Sequence, residues 1–341
     1  MKRIVVLGGL GFFGAAAVQR LRADGAMPLI ASRRAAGADL QVDVEDPSSL
    51  RAALRPGDVV IDTVGPFQRR TLALVEAALD IGFDLLVIAD SLAYVSMLYG
   101  LRPQIDATGR RVLTACSSIS AISAAMVRLS RLKDPIRVTG VLAPASRYAA
   151  TPATGASLMR SVGRPIRVLR DGRLVMAVGW RASHKVRMPP PIGDVHGYLF
   201  ESADSFTLPL VWPDLRRVEF YVDSRVPGLN LVFAAAARWL TVRSFVERFQ
   251  SPGLALARAF GSAAGCLMYE IEARGDRLVR YALIASDRGY YTPIVPAVLA
   301  ARAIAEGRFA PRGLVPPDQH VEPGELTDYL RTIGVETVRL T

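Results

Sequence analysis

Cysteine and lysine are the scarce residues of this chain. Cys116 and Cys266 are its two cysteines, too few for a disulfide framework and without the spacing of metal ligands. A stapled small fold and a metal centre are therefore not expected, and a reducing, cytoplasmic compartment is. The lysines are Lys2, Lys133 and Lys185. Nearly all of the positive charge behind the formal +11 is thus arginine, spread over 341 residues. That pattern reads as a composition bias, and no nucleic-acid partner is expected from it. No uninterrupted apolar run reaches the ~18 residues of a membrane-spanning helix. No tyrosine is followed four residues later by lysine, which removes the tyrosine–lysine acid pair of short-chain dehydrogenases. What is present is a chain 51% hydrophobic and 21% charged, globular in composition and long enough for two domains.

The first stretch, "MKRIVVLGGLGFFGAAAVQRLRADG", has two readings. A basic start, an apolar run and small residues imitate a signal peptide. The same letters give a buried strand, a glycine turn and an amphipathic helix stopped by Gly25. The second reading is preferred, because "VQRLRADG" completes the helix instead of ending it at a cleavage point. Further strands follow in "MPLIAS", "ADLQVDV", "DVVIDTVG", "FDLLVIAD" and "RRVLTACS", with "DPSSLRAAL" and "QRRTLALVEAALDIG" helical between them. Strands alternating with helices predict an α/β, doubly wound parallel sheet of the Rossmann kind.

The pattern changes near Asp134-Pro135. From there strand-like segments follow one another, two of them folded at Asp171-Gly172 and at Arg274-Gly275-Asp276, as hairpins would be. An inserted α+β domain on a mainly antiparallel sheet is expected over residues 134–291. It is interrupted by an apolar helical insert, roughly Leu229 to Phe260. Residues 1–133 and 292–341 are expected to form the dinucleotide-binding domain, with the C-terminal helix and strand returning to it.

Gly9-Leu10-Gly11-Phe12-Phe13-Gly14 is a G-x-G-x-x-G at the first strand-to-helix junction. Such a turn must be tight, must let backbone approach a pyrophosphate, and must let helix pack close on strand. The helix start then presents N–H groups and the positive end of its dipole to phosphate. The second strand ends in Ser32-Arg33-Arg34. An NAD site asks for an acid there, whereas serine and two arginines suit a 2′-phosphate. NADP is therefore the expected cofactor, with NAD the alternative. Asp43 and Val44 end the third strand, placed for the adenine edge or as a plain helix lead. Gly65, Pro66 and Phe67 end the fourth, at the sheet edge where the nicotinamide half is expected.

Taken together, "GGLGFFG", "ASRR", "VDVEDPSSL", "DTVGPFQRRTLALVEAALDIG" and "TACSSISAISAAMVRL" resemble the saccharopine dehydrogenase-like NAD(P)-dependent oxidoreductases. The resemblance continues through "SVGRPIRVLRDGR", "WPDLRRVEFYVDS" and "PAVLAARAIAEG". It implies a Rossmann domain with an inserted substrate and dimerisation domain, hence a homodimer. It also implies that Gly9, Gly11, Phe12, Phe13 and Gly14 hold pyrophosphate and Arg33 the ribose phosphate, with Gly65, Pro66 and Phe67 along the nicotinamide. The family's acidic, tyrosine-containing motif is matched only loosely, by Asp90 and Tyr94 in "VIADSLAYV". The apolar composition of the inserted domain points away from a doubly charged amino acid. The broader family includes members acting on lipid-linked chains, so the resemblance implies a largely apolar small-molecule or lipid-linked substrate, reduced or oxidised at a C=N, C=C or C=O bond.

Hydride chemistry also needs a proton donor. His184, beside Lys185 and ahead of a proline-rich loop, is the first candidate, and Tyr148 in "APASRYAATPATG" the second. His196, the Tyr290-Tyr291 pair and Cys116 are weaker ones, each with a plain packing role as its competitor. The insert with its arginines can line an acyl tunnel, lie on an anionic membrane surface, or pack a dimer. The expected function is an NADP-dependent oxidoreductase. Its competitor is a non-catalytic cofactor-binding or membrane-associated scaffold that keeps the fold.

Overall fold

Ile4–Leu7 sets four apolar residues in a row, all buried, and forms β1 in the computed structural model, which describes residues 2–287 and 289–340. A strand covered on both faces needs such a run. The chain turns at Gly8–Gly11 into α1 (Phe12–Ala23), whose Ala16, Ala17, Val18 and Leu21 are buried. Then come β2 (Leu29–Ser32), β3 (Leu40–Gln41), α2 (Pro47–Ala53), β4 (Val59–Asp62), α3 (Ala73–Ala77) and β5 (Asp84–Val87). Asp46 caps α2 by accepting from the Ser48 N–H, with Pro47 at the first helical position. This first run closes with α4 (Leu92–Gly100), α5 (Arg102–Thr108), β6 (Arg111–Leu113) and α6 (Ala121–Ser130).

The second run holds β7 (Pro135–Ala143), α7 (Ser146–Ala149), α8 (Pro152–Ser161), β8 (Pro165–Arg170), β9 (Arg173–Val178), β10 (Ser183–Met188) and β11 (Gly193–Phe200). It continues with α9 (Asp204–Val211), β12 (Arg217–Val222), α10 (Leu229–Ala236), α11 (Leu240–Arg248), α12 (Gln250–Phe260), β13 (Gly265–Ala273) and β14 (Arg277–Ala285). The chain ends in α13 (Val295–Ala305), β15 (Gly313–Val315), α14 (Pro323–Thr332) and β16 (Val335–Leu340).

Two compact units result: Met1–Ala125 with Pro293–Leu326, and Met126–Thr292 with Thr327–Thr341. The first is built on a seven-stranded sheet in the order β15-β6-β5-β4-β1-β2-β3, all of whose pairs are parallel. The order runs outward from β1 in both directions, so the crossover direction reverses between β1 and β4. An open α/β sheet takes its ligand at the carboxyl end of such a point. α13 packs on β4, β5 and α1, and Arg302 Nη1 ties it to Asp24 Oδ2 at 3.1 Å.

The second unit carries a sheet in the order β10-β11-β12-β7-β13-β14-β16, with the β8–β9 hairpin attached to β12. Its pairings are antiparallel except β12 with β7. Asp171 and Gly172 close the β8–β9 hairpin with φ of 50° and 74°, the left-handed pair that a two-residue turn requires. β12 shows why one face differs from the other. Arg217, Glu219 and Tyr221 point one way, while Val218, Phe220 and Val222 point the other.

Three expectations are corrected. The C-terminal piece does not return as a whole to the first unit: Pro293–Leu326 does, while β16 pairs with β14. The second sheet would otherwise leave the β14 backbone unpaired, and Val338 and Leu340 pack on that sheet's apolar cluster. The stretch carrying His184, which the sequence did not mark as a strand, is β10, and it pairs with β11 over its full length. Finally, the inserted domain is not uniformly apolar, because one region of its sheet is lined by ion pairs described below.

Candidate functional site

The glycine turn after β1 is held by backbone alone. The N–H groups of Gly8 and Gly9 donate to the Ala31 carbonyl at 2.9 and 3.2 Å, and Gly11 N–H donates to Gly8 O at 2.8 Å. Gly8 takes φ +73°, where a side chain would be strained. A Cβ on Gly14 would lie 2.1 Å from the Gly8 oxygen, so only glycine lets α1 come this close to the turn. Gly11 caps α1 and offers no side chain to its first-turn N–H groups, which have no intrahelical acceptor. Phe12 and Phe13 begin the helix, their rings edge-on at 5.1 Å. Backbone this close, at a helix start that no side chain caps, fits a dinucleotide pyrophosphate.

At the end of β2, Ser32 Oγ accepts from Arg34 N–H at 3.2 Å. Arg33 and Arg34 are exposed, and neither is ion-paired among the described residues. The nearby acids are engaged in local bonds: Asp39 Oδ2 accepts from Ile30 N–H at 2.8 Å, and Asp43 Oδ1 accepts from Glu45 N–H at 3.0 Å. Asp43 is half-buried, and Val44 is buried in the core. The charge left open at this corner is therefore cationic.

Beyond β4 lies a cluster that the sequence did not single out. Asp62, fully buried at the strand's end, receives Arg70 Nη1 at 3.0 and 3.3 Å. The same Nη1 donates to Val64 O at 2.9 Å, and Arg70 Nε donates to Glu45 Oε1 at 2.5 Å. This clamp fixes both sides of the turn leading into Gly65, Pro66 and Phe67. Phe67 stacks on Tyr94 of α4 at 5.9 Å, and the guanidinium stands 5.9 Å over the same ring. Burial pushes Asp62 above the usual carboxylate range against the pull of Arg70, and burial raises the Tyr94 phenol as well. Arg70 Nη2 and the Tyr94 hydroxyl are buried without a hydrogen-bond partner. Two orphaned donors beyond the carboxyl end of β4 are unusual in a finished core, and they fit a polar ligand there. The available sequence signal was an aspartate ending a buried strand with an arginine a short loop later.

The proton-donor candidates other than Cys116 fall elsewhere, in the second unit. His184 Nε2 lies 2.8 Å from Glu270 Oε2, and Arg280 Nε donates to Glu270 Oε1 at 2.6 Å. Burial alone would raise the Glu270 carboxyl, but the bonds from His184 and Arg280 outweigh it and hold it below its ordinary range. The pair borders a groove of about 870 Å³ whose floor includes Tyr221, Arg217 and Glu219. Several of its ions are spent on each other: Arg137 on Glu272 and Arg217 on Glu219, which Arg170 outside the groove also reaches. Tyr148 sits on α7, partly exposed. His196 stacks on Tyr198 at 4.9 Å, and its Nε2 is buried without a partner. Tyr291 is buried, and the side chain of Tyr290 lies outside the described residues. Burial pushes the Cys116 thiol well up, away from thiolate. Asp90 follows β5, in the stretch that also carries Tyr94. Among the described residues, no group of three His, Cys, Asp or Glu could hold a metal ion, and no helix is long and apolar enough to cross a membrane.

No family model matches the sequence, and no curated protein does. Solved structures do match in shape. Apo saccharopine dehydrogenase (L-Glu forming) from Saccharomyces cerevisiae aligns over 100% of both chains with a TM-score of 0.64 at 13% identity. A putative myo-inositol dehydrogenase from Sinorhizobium meliloti aligns over 100% of both chains at 10% identity, with a TM-score of 0.43. The WlbA dehydrogenase from Thermus thermophilus, in complex with NAD and α-ketoglutarate, covers 98% of this chain and 96% of its own at 14% identity, with a TM-score of 0.40. The likeness to the yeast protein is one of fold: a Rossmann-type α/β unit joined to a mixed-sheet unit.

Proposed function

We propose that this chain is an NADP(H)-dependent oxidoreductase, acting on a C=N, C=C or C=O bond of a largely apolar small-molecule or lipid-linked substrate. The observation that carries the reading is the glycine turn at the point where the first sheet reverses direction. There, a Cβ on Gly14 would strike the Gly8 carbonyl. The fold shared with a saccharopine dehydrogenase supports it.

Gly9, Gly11, Phe12, Phe13 and Gly14 would hold the pyrophosphate. Ser32, Arg33 and Arg34 would hold the ribose 2′-phosphate, with Asp43 and Val44 at the adenine end and Gly65, Pro66 and Phe67 at the nicotinamide end. The two unpaired arginines favour NADP, since a planar guanidinium meets phosphate with paired donors and a 2′-hydroxyl asks instead for an acceptor. When bound, the nicotinamide supplies or accepts the hydride. The clamp of Asp62 and Arg70 keeps the turn beneath it rigid. His184 is the proposed proton donor, with Glu270 holding its ring.

The test is titration of the protein with NADPH and NADH, followed by nucleotide fluorescence. NADPH is expected to bind the more tightly, and Arg33→Asp is expected to reverse the order. Absence of any response to either nucleotide would sink the reading.

A further inference from the structure

The helices α10, α11 and α12 present a surface that the oxidoreductase reading leaves unused. Their inner side is already satisfied. Phe233, Ala234 and Ala236 of α10 pack with Trp180, and Val242 and Val246 of α11 lean on the same cluster. Outward, α11 buries none of its nine residues completely. More than half of the large apolar side chains left exposed among the described residues fall within 229–260. Leu231, Leu240, Phe245 and Phe260 are each at least 60% exposed, and Trp239 and Phe249 are exposed as well. Phe245 and Phe249 sit one turn apart on α11 and its C-cap, with ring centroids 4.5 Å apart. A monomer in water gains nothing from such a concentration.

The charge of the stretch is as uneven as its hydropathy. It holds four arginines, Arg238, Arg243, Arg248 and Arg258, against the single acid Glu247. Glu247 is taken by Arg164 at 2.7 Å. Arg238, Arg243 and Arg258 reach only backbone carbonyls, and none of the four is ion-paired among the described residues. A second copy of the chain meets this face poorly. A twofold contact would set the same arginines against each other with no free carboxylate to receive them. An anionic bilayer meets it well, with phosphates for the arginines and an acyl boundary for the leucine and aromatic side chains.

We propose that α10–α12 form a docking surface for an anionic lipid membrane. The apolar side chains enter the interfacial region, and the arginines engage the headgroups. The protein lies on the membrane and does not cross it. This reading does not depend on the cofactor assignment.

Flotation of the full chain with vesicles tests it. Vesicles containing phosphatidylglycerol should carry the protein, and those of phosphatidylcholine alone should not. Raising salt should release it, because screened arginines lose their hold. Leu240→Glu with Phe245→Glu, and separately Arg238→Glu with Arg248→Glu, should each weaken binding by roughly tenfold or more. These side chains face solvent, so circular dichroism and NADPH titration should match the parent protein. Three results would overturn the proposal: no flotation with either vesicle, equal flotation with both, or variants that bind as well as the parent. A dimer that dissociates in the Leu240→Glu, Phe245→Glu variant during sedimentation, without vesicle binding by the parent, would assign the face to a second copy.

Discussion

Gly14 shows how far a single position can be constrained. Its missing side chain is what allows α1 to rest on the Gly8 carbonyl. Gly14→Ala is expected to lower NADPH affinity at least tenfold and to reduce thermal stability, read by fluorescence titration and a melting curve. Asp62 and Arg70 make the opposite case, two charges that are tolerable only together. Removing Arg70 leaves a carboxylate buried without compensation, so Arg70→Met should cost about 3–5 kcal/mol in urea unfolding. Asp62→Asn combined with Arg70→Met should recover much of that loss; a double variant no more stable than the single would show that the pair is not its source. His320 is buried with Nε2 3.0 Å from the Val315 carbonyl, and burial pushes its pKa down to about 4. The unfolded chain takes that proton near pH ~6.5, before the folded protein does. The contribution of His320 is therefore complete above pH ~6.5 and is lost as pH falls towards the folded value, on the order of 3 kcal/mol in all. Melting temperatures measured between pH 7 and 4 should fall less steeply in His320→Gln.

At the scale of elements, β16 is an edge strand supplied from the far end of the sequence. Its Val338 and Leu340 help cover the apolar cluster of the second sheet, and its backbone satisfies β14 through six register pairs. A chain ended after Gly334 should expose the β14 edge, lose cooperative unfolding of the second unit, and self-associate on size-exclusion chromatography. A monomer with unchanged unfolding would refute this role. The sequence spelled out the β8–β9 turn, because Asp171-Gly172 has the residue types a left-handed pair needs. It did not mark β16 as foreign to the first unit. Its alternation fits either sheet, and the choice depends on which sheet has an open edge. β10 was obscured in another way. "SHKVRM" is mostly polar, with Lys185 and Arg187 among its six residues, and runs into prolines, so it resembles a loop until β11 supplies its partner.

For the whole molecule, ligand binding is the cleanest lever. A nucleotide that binds the folded chain and not the unfolded one stabilises it by about 2.7 kcal/mol at a concentration of 100 times its Kd. NADPH should accordingly raise the melting temperature more than NADH at equal concentration, and Arg33→Asp should reverse that order; equal shifts by both nucleotides in the parent protein would remove the case for a 2′-phosphate site.

The sequence by itself determined the parallel α/β unit, the glycine turn and the antiparallel character of the second sheet. Buried strands, tight turns and helix stops write themselves in short local patterns of residue type. The sequence also carried the arginines after β2, since they follow a strand end directly. Only the tertiary structure decided that Arg70 reaches back to Asp62 and Glu45, that His184 meets Glu270, and that β16 closes the second sheet. It also decided that Leu240 and Phe245 of α11 face outward while Val242 and Val246 pack inward. Each of these joins residues distant in the chain or turns a helix about its axis. Such outcomes follow from which surfaces are already covered when the chain arrives, and no local pattern of letters records that.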